Sequence, residues 1–341
     1  MSNTGTVIVT GAAGGLGGAI AEKVLQRPEI SHYFFTVRST RSANSKPLLN
    51  LIAPQSSNKK TTTLELDLSK LSSVRAFARD INAQVASGRT PPIKALILNA
   101  AVFSMGGGSL GSAPPNPDGS KFEMHFAVNY LANFLLSVLL LESMDKECGR
   151  IVYISSWTHD PLYSRNASHS PEKLKWDIDE LAFAKTPSTA GDEANDAMRR
   201  YGKSKLAQIT YMNYLRKRLD NTPGLGKISI VGVDPGAMVH SNIVKNPGLL
   251  MRHIVIPAFG FYSSLAVKIS PNGMFRTTTK SAADVVRGAF DTDKSVTNAY
   301  FNGDQLSEPA AESRDQARQE DLWRRTLDLV GLDEKQTVLV K

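Results

Sequence analysis

A glycine-rich stretch near the N-terminus constrains the fold of this chain more than any other feature of its sequence. A short β-branched run at 6–9 leads into Thr10-Gly11-Ala12-Ala13-Gly14-Gly15-Leu16-Gly17, after which apolar residues recur at helical spacing as far as Val24. This order predicts a strand, a glycine loop and a helix. Glycines in such a loop let the backbone approach a pyrophosphate, whose charge the free N–H groups of the helix start can meet. The stretch therefore predicts a dinucleotide site, and an ordinary glycine-rich turn is the alternative.

Strand and helix patterns alternate along the first half of the chain. Strand patterns recur at 32–37, 61–68, 94–98 and 150–154, and Ser69 is placed to cap a helix that follows the second of them. Such repeats predict a parallel sheet with right-handed crossovers. The fold class is therefore α/β: a doubly wound Rossmann fold with a central parallel sheet, in a single domain of residues 1–341 with inserted substrate-loop segments.

Several polar residues fall at the carboxyl ends of these strands, where ligands of such folds lie. Asp67 and Asn99 each follow a strand, and Arg38-Ser39 ends the strand at 32–37. A dinucleotide fold that prefers NAD usually carries an acidic residue at the position of Arg38, for the ribose 2′-hydroxyl, whereas an arginine suits a 2′-phosphate. We expect NADP(H) as the cofactor, selected by Arg38 and Ser39. The alternative is an arginine that simply lies at the surface.

The composition argues against several classes of protein. With 341 residues and 41% apolar content, the chain can bury a large core. Its single cysteine, Cys148, excludes an internal disulfide and an all-cysteine metal site, and no metal is expected. The net charge is +8, yet no basic run is interleaved with aromatic residues, so nucleic-acid binding is not expected. The N-terminus resembles no signal peptide, which indicates a cytoplasmic protein.

Tyr201 and Lys205 lie four residues apart at the start of a helical pattern that runs to about residue 219. At this spacing they share one face of the helix, which places an ammonium beside a phenol. A nearby positive charge favours the phenolate and lowers the pKa of the phenol from its ordinary value of about 10. Such a pair can protonate an alkoxide. Tyr-x-x-x-Lys is also common on solvated helix faces, so its context decides between the two interpretations.

These features together resemble the short-chain dehydrogenase/reductase family over residues 6–243. The matching motifs, in the family's order, are Thr10-Gly11 with Gly15 and Gly17, Asp67, Asn99-Ala100-Ala101, Asn129, Ser156, Tyr201 with Lys205, and Asp234-Pro235-Gly236. The resemblance implies a catalytic set of Asn129, Ser156, Tyr201 and Lys205, with Ser156 rather than Ser155 as the catalytic serine. The cofactor-binding residues are expected to be Thr10, Gly11, Gly15, Leu16, Gly17, Arg38, Ser39, Asp67, Asn99, Tyr201, Lys205, Pro235, Gly236 and Ser241.

Two branches of the family fit parts of the sequence. The glycine loop also has the spacing of the extended, epimerase-like branch through Gly14 and Gly17, whereas Asn99-Ala100-Ala101, Asn129 and the modest C-terminal extension look like the simpler reductase branch. More narrowly, Thr36-Val37-Arg38-Ser39 and Leu322-Trp323-Arg324-Arg325-Thr326 are similar to retinol-dehydrogenase-like members. That group acts on lipophilic carbonyls, so the resemblance implies a small lipophilic carbonyl or alcohol as the substrate.

The sequence departs from the family in two places. Ser156 and Tyr201 are 45 positions apart, far more than in a compact member, which leaves a polar insertion at 157–198 before the catalytic helix. The insertion is interpreted either as a flap over the substrate or a partner surface, or as an ordinary surface insertion, which costs little. After Pro235-Gly236 the family usually places a threonine near the nicotinamide amide, and here Ser241 is the candidate substitute.

Residues 245–341 are expected to form a substrate-covering segment and C-terminal helices. The stretch 249–267 is apolar, but Pro257 and Gly260 interrupt it, which argues against a membrane-spanning helix. It is interpreted as a helical segment that covers the substrate, with shallow membrane contact as the alternative. Further helices are predicted at 281–290 and at 311–332.

An apolar helix is predicted at 126–144. Asn129, Asn133 and Glu142 shorten its apolar stretch below the length of a membrane span, so it is expected to be buried or to form an interface. In the family that the chain resembles, this helix often meets its counterpart in a homodimer. The resemblance therefore suggests a homodimer here.

The sequence thus predicts an NADPH-dependent oxidoreductase that reduces a carbonyl or oxidises the corresponding alcohol. Tyr201 would protonate the substrate oxygen, Ser156 would hydrogen-bond it, and Lys205 would lower the pKa of the tyrosine and hold the nicotinamide ribose. Asn129 would support a water-linked proton path to Lys205. The alternatives are an extended-branch epimerase or dehydratase, and a catalytically silent NADP-binding regulator.

Overall fold

The computed structural model describes residues 4–54, 59–103, 110–116, 119–163, 166, 176–184, 191–238, 256–293 and 295–340. Its strands are β1 Gly5–Val9, β2 Ile30–Val37, β3 Lys60–Glu65, β4 Ile93–Leu98, β5 Arg150–Ile154, β6 Ser229–Asp234, β7 Asn298–Asn302 and β8 Gln305–Ser307. Within these described ranges they form one sheet of eight strands in the order β3-β2-β1-β4-β5-β6-β7-β8. The first seven run parallel, and β8 pairs antiparallel with β7. The prediction of a doubly wound parallel sheet is confirmed.

Helices cover both faces of this sheet. They are α1 Gly15–Val24, α2 Lys46–Ile52, α3 Leu71–Ala86, α4 Ala132–Leu140, α5 Ile178–Phe183, α6 Glu193–Asn221, α7 Ile256–Ile269, α8 Thr278–Phe290 and α9 Gln316–Val330. Side chains alternate across a strand, so successive residues of β1 enter different cores. Val7 and Val9 join the core under α1 and α8, whereas Ile8 joins the core under α3, α4, α6 and α9. A strand buried on both faces reads as a continuous apolar run, as the sequence of β1 does.

The start of α3 differs from the expectation that Ser69 caps it. The N-cap position belongs to Lys70, whose side chain makes no capping hydrogen bond. Ser69 instead hydrogen-bonds to the preceding turn. Its Oγ donates to Asp67 Oδ1 at 2.6 Å, and its backbone N–H donates to the same oxygen at 3.1 Å. The polar turn at the end of β3 therefore stabilises itself rather than the helix.

The helix that carries Tyr201 begins earlier than the sequence pattern indicated. α6 starts at Glu193 and extends over 29 residues, so Tyr201 lies in its interior. Acidic residues in its first turn stabilise the positive end of the helix dipole. Asp196 also forms an ion pair with Arg200, four residues later, at 2.9 Å. The predicted insertion at 157–198 therefore includes the first residues of the helix that carries Tyr201.

The rest of the insertion is partly described. Helix α5 is capped by Asp177, whose carboxylate accepts from the backbone N–H groups of residues 179 and 180. It is anchored to the body of the fold by buried Leu181, by the Ala182 carbonyl, which accepts from the Glu123 N–H at 2.6 Å, and by Phe183, whose ring lies 5.4 Å from that of Phe122. Residues 164–165, 167–175 and 185–190 lie outside the described part of the chain.

The apolar helix predicted at 126–144 forms, but in three pieces. A π-helical stretch, Phe126–Leu131, precedes α4, and a 3₁₀ turn, Leu141–Ser143, ends it. Contrary to our expectation, the stretch Phe126–Ser143 is long and apolar enough to cross a membrane, with a mean hydropathy of 1.5. However, 89% of it is buried inside the fold, which is the environment of a core helix.

The C-terminal part of the chain extends the sheet and then covers it. A turn at 303–304 joins β7 to β8, two strands that the sequence did not reveal, and Gly303 adopts φ +66° there. The helices predicted at 281–290 and 311–332 correspond to α8 and α9. Of the stretch 249–267, only α7 is described, and residues 239–255 lie outside the described part.

Trp323 on α9 provides a test of how firmly the C-terminal segment is attached. Its ring is 4% exposed and lies 5.2 Å from the ring of Phe134 and 6.1 Å from that of Tyr211. Trp323→Ala should lower the free energy of unfolding by about 3–5 kcal/mol, because it leaves a large cavity. Urea denaturation measures this change. Leu306→Ala, at a side chain that is 66% exposed, should change stability by less than about 0.5 kcal/mol. Equal, small effects would mean that α9 does not contribute to the core.

Candidate active site

The glycine loop after β1 is built around close backbone contacts. Gly11 adopts φ +66°, and its carbonyl accepts from the Gly14 N–H at 3.0 Å. A Cβ at Gly17 would collide with that same carbonyl and would lie 2.9 Å from the Cα of Ala12. A side chain at Gly17 is therefore excluded, which explains why the loop needs glycine at both positions.

Helix α1 presents an uncapped N-terminus at this loop. Its N-cap residue, Gly14, has no side chain that could accept from the first backbone N–H groups, and no acidic residue lies in the first turn. Such an end binds anions, because its N–H groups and the helix dipole both favour negative charge. Gly15, Leu16 and Gly17, expected to bind the cofactor, form this end, and the loop fits the pyrophosphate of a dinucleotide.

Thr10 and Asn99 hold the loop in place. The Asn99 Nδ2 donates to the carbonyls of Thr10 at 2.9 Å and Gly11 at 3.3 Å, and the Thr10 Oγ1 accepts from the Ala100 N–H at 3.0 Å. These bonds join the end of β4 to the end of β1. Both residues thus shape the predicted cofactor site through contacts within the protein.

Arg38 is the first residue after β2, at the same edge of the sheet as the glycine loop, and its side chain is exposed. The neighbouring strand β3 ends in Glu65, a carboxylate that could compete for a ribose. Its Oε1 instead accepts from the N–H and the hydroxyl of Thr40, both at 2.8 Å, which lowers the pKa of Glu65. Arg38 thus places an exposed cation at this edge, whereas Ser39 makes its described hydrogen bonds through its carbonyl.

The structure brings Ser156, Tyr201 and Lys205 together. Ser156 follows β5, and Lys205 on α6 reaches the end of the same strand, where its Nζ donates to the Ile154 carbonyl at 2.7 Å. That Nζ lies 5.7 Å from the centre of the Tyr201 ring. Ser156 is close enough to the phenol to influence its pKa. Residues distant in the sequence thus form one polar cluster at the carboxyl end of the sheet.

Burial controls the protonation of this cluster. It raises the pKa of Tyr201 to about 12, by more than the nearby Ser156 lowers it. It also lowers the pKa of Lys205 to about 7, although Asp234 acts in the opposite direction. The expectation that Lys205 brings the pKa of Tyr201 below its ordinary value is therefore wrong, because desolvation disfavours both charged forms. The phenol is protonated at neutral pH.

Asn129 lies in the π-helical stretch and is fully buried. Its Oδ1 accepts from the Val102 N–H at 2.8 Å, and its Nδ2 donates to the Val102 carbonyl at 3.1 Å and to Ser204 Oγ at 3.1 Å. The side chain thus joins the segment after β4 to the helix that carries Tyr201 and Lys205. These contacts give Asn129 a role in holding the site together, and its catalytic role stays a prediction.

The motif after β6 is held by a residue that the sequence reasoning missed. Arg276 is 1% exposed, and its Nη1 donates to the Asp234 carbonyl at 2.7 Å. Gly236 adopts φ +71°, and Ser281 Oγ donates to the Pro235 carbonyl at 2.6 Å. No local pattern could have identified this role of Arg276, because the Asp234 carbonyl lies 42 residues away in the chain. Ser241 lies outside the described residues.

Two aromatic side chains that were also missed pack around Tyr201. The Phe103 ring lies 4.8 Å from it, and the His125 ring lies 6.2 Å away, edge-on. A cavity of about 190 Å³ adjoins the turn after Ser156 and reaches Gly236. Its wall combines aromatic and acidic side chains, among them Trp157, Tyr300 and Asp160. The cluster therefore has both a hydrophobic neighbourhood and an adjoining cavity.

Comparisons with known proteins identify the family of this chain. The family model described as short chain dehydrogenase matches residues 5–168, and one described as AcuH dehydrogenase domain matches residues 263–339. The chain is 39% identical to the short-chain dehydrogenase iccH of Talaromyces variabilis, covering 99% of both proteins. It is 27% identical to retinol dehydrogenase 12 of Mus musculus, over 96% of this chain and 86% of that protein.

Among solved structures, the fold is similar to that of the NADPH-bound carbonyl reductase from chicken fatty liver. The TM-score is 0.56, with 15% identity, covering 90% of this chain and 100% of that one. At this identity the likeness shows the fold alone. The 39% identity to a short-chain dehydrogenase, in contrast, extends over nearly the full length of both proteins, and we conclude that this protein belongs to the short-chain dehydrogenase/reductase family.

Proposed function

We propose that this oxidoreductase uses NADPH to reduce the carbonyl group of a small lipophilic substrate, or oxidises the corresponding alcohol, with Tyr201 as the proton donor. The observation that carries the proposal is the cluster of Ser156, Tyr201 and Lys205, at the sheet edge where the glycine loop and Arg38 also lie. Short-chain dehydrogenases use nicotinamide cofactors, which supply a hydride when bound. The residues of this chain must then bind the carbonyl oxygen and deliver a proton to it.

Tyr201 suits the second task. With a pKa of about 12 it is protonated at neutral pH, and an alkoxide is a stronger base than its phenolate, so proton transfer to the reduced oxygen is downhill. Ser156 can donate a hydrogen bond to the same oxygen while negative charge develops on it. Lys205 is buried next to them, and its Nζ donates to Ile154, which fixes it below the phenol ring. We assign it the contact with the nicotinamide ribose.

Preference for NADPH over NADH rests on Arg38. Its guanidinium is exposed at the end of β2, and a guanidinium binds a phosphate through two parallel hydrogen bonds. The nearby Glu65 carboxylate is occupied by Thr40. The edge therefore offers a cation to a 2′-phosphate.

The proposal of a lipophilic substrate rests on apolar surface. On α7, Tyr262 is 53% exposed, Leu265 49% and Ile269 79%. Several exposed apolar side chains on one helix indicate a binding surface more than a single exposed residue does. The relative named retinol dehydrogenase 12 is consistent with such a substrate. This surface also supports peripheral membrane contact of a cytoplasmic protein. We also propose that the protein forms a homodimer. The insertion at 157–198 would form a wall of the substrate site.

An absorbance assay separates this function from its alternatives. Incubation with NADPH and a panel of lipophilic ketones and aldehydes should consume the cofactor. Tight binding of NADPH without consumption would indicate a silent regulator instead. Product that is isomerised or dehydrated, without net consumption, would indicate an epimerase or dehydratase.

Tyr201→Phe tests the proton donor. The ring and its packing against Phe103 stay, and only the hydroxyl is lost, so turnover should fall by about 10²- to 10⁴-fold while the Kd for NADPH stays within about twofold. Steady-state kinetics and a fluorescence titration of NADPH measure the two quantities. Tyr214→Phe, on the same helix, is the matched control and should keep full activity. A Tyr201→Phe enzyme with more than about a tenth of the original rate would rule Tyr201 out as the acid.

Arg38→Asp tests cofactor selection. The aspartate repels a 2′-phosphate and can accept from a 2′-hydroxyl, so the ratio of kcat/KM for NADPH to that for NADH should fall by at least about tenfold. Arg79→Asp makes the same charge change at an arginine that is 78% exposed on α3, and it should leave the ratio unchanged. Equal ratios in both variants would mean that Arg38 does not contact the phosphate.

A series of ketones of increasing apolar area tests the substrate class. If the pocket is lipophilic, kcat/KM should rise about fourfold for each buried methylene, from about 0.8 kcal/mol of transfer free energy, until the pocket is full. Phe259→Ser with Phe261→Ser should weaken the larger ketones selectively and spare NADPH binding. These two side chains lie outside the described part of the structure, so this arm rests on the sequence. A flat series would reject the lipophilic pocket.

A further inference from the structure

Ser156 lies directly before a 3₁₀ turn, Trp157–His159, and Thr158 of that turn contacts its hydroxyl. The backbone N–H of Thr158 donates to Ser156 Oγ at 3.3 Å, and Thr158 Oγ1 donates to the same oxygen at 3.0 Å. Thr158 is 4% exposed. Ser156 Oγ thus accepts two hydrogen bonds from within its own turn.

This count decides what the Ser156 hydroxyl can do. A hydroxyl has two acceptor lone pairs and one proton. Because Thr158 occupies both lone pairs, only the proton is free, and Ser156 acts toward the site as a donor. The same proton is available for the oxygen of a bound carbonyl.

The far end of the turn is fixed by His159. Its backbone N–H and its Nδ1 both lie within hydrogen-bond distance of the Ser156 carbonyl, at 3.1 Å and 2.6 Å. Its Nε2 accepts from the Ala310 N–H at 3.1 Å, so Nδ1 carries the proton and donates it to Ser156. The ring is 3% exposed. His159 therefore attaches the turn to the segment just before α9.

We propose that Thr158 is a positioning residue that fixes the Ser156 hydroxyl as a hydrogen-bond donor, and that His159 holds the same turn against the C-terminal segment. The proposal rests on the proposed function, in which Ser156 donates to the substrate oxygen. It adds two residues that act through the backbone and the hydroxyl of Ser156.

A double-mutant cycle tests the role of Thr158. Thr158→Val keeps the shape and removes the Oγ1 donor, so kcat should fall by about 2- to 12-fold, the range of one neutral hydrogen bond, with the Kd for NADPH unchanged. Thr158→Ser restores the donor and should recover kcat to within about twofold. In the Ser156→Ala background, Thr158→Val should have no further effect, because the group that it positions is gone.

Two results would overturn the proposal. Full turnover of Thr158→Val, or an equal loss in the Ser156→Ala background, would show that Thr158 does not act through the serine hydroxyl. Thr210→Val is the matched control and should keep full activity, because Thr210 is a buried threonine of α6 whose Oγ1 has no hydrogen-bond partner among the described residues. If Ser156→Ala itself leaves kcat unchanged, the proposed role of Ser156 fails first, and that result is distinguishable from failure of Thr158 alone.

His159→Phe tests the second half of the proposal. The ring stays, but both of its hydrogen bonds are lost, so kcat should fall by at least as much as in Thr158→Val. The thermal midpoint should fall as well, because the tie to Ala310 is cut. Unchanged kcat in His159→Phe would remove His159 from the proposal.

Discussion

The hydrogen bond from Lys205 to the Ile154 carbonyl is the interaction on which the site depends. It joins α6 to the carboxyl end of β5 at 2.7 Å, and Lys205 is only 2% exposed. Tyr201 lies one helical turn before Lys205 on α6. Ser156 lies two residues after Ile154, just beyond the end of β5. This contact therefore holds the phenol near the serine hydroxyl, across an insertion of about forty residues.

Burying this cluster also determines its chemistry. Desolvation destabilises the Lys205 ammonium by more than the negative charge of Asp234 stabilises it, so the pKa of Lys205 falls to about 7. Desolvation also raises the pKa of Tyr201 to about 12. The site thus favours neutral groups. A protonated phenol is suited to completing a reduction, in which the negative charge develops on the substrate oxygen rather than on the protein.

The C-terminal segment, which the motif resemblance covers least, contributes directly to the site. Arg276 fixes the end of β6, Ala310 fixes His159 and thereby the turn after Ser156, and Trp323 packs on the core beneath α6. The family model for residues 263–339 matches the same region. The half of the fold that carries Ser156 and Tyr201 is therefore held in place by its C-terminal extension.

The sequence by itself determined the sheet, the glycine loop, the order of the motifs and the residues that cluster at the carboxyl edge, because apolar periodicity and glycine placement are local properties of a chain. It also located Ser156, Tyr201 and Lys205. It could not determine the protonation of Tyr201, the start of α6, the strands β7 and β8, or the roles of Thr158, His159 and Arg276. Those depend on desolvation and on partners far away in the chain, such as Ala310 and the Asp234 carbonyl, and only the tertiary structure brings such groups together.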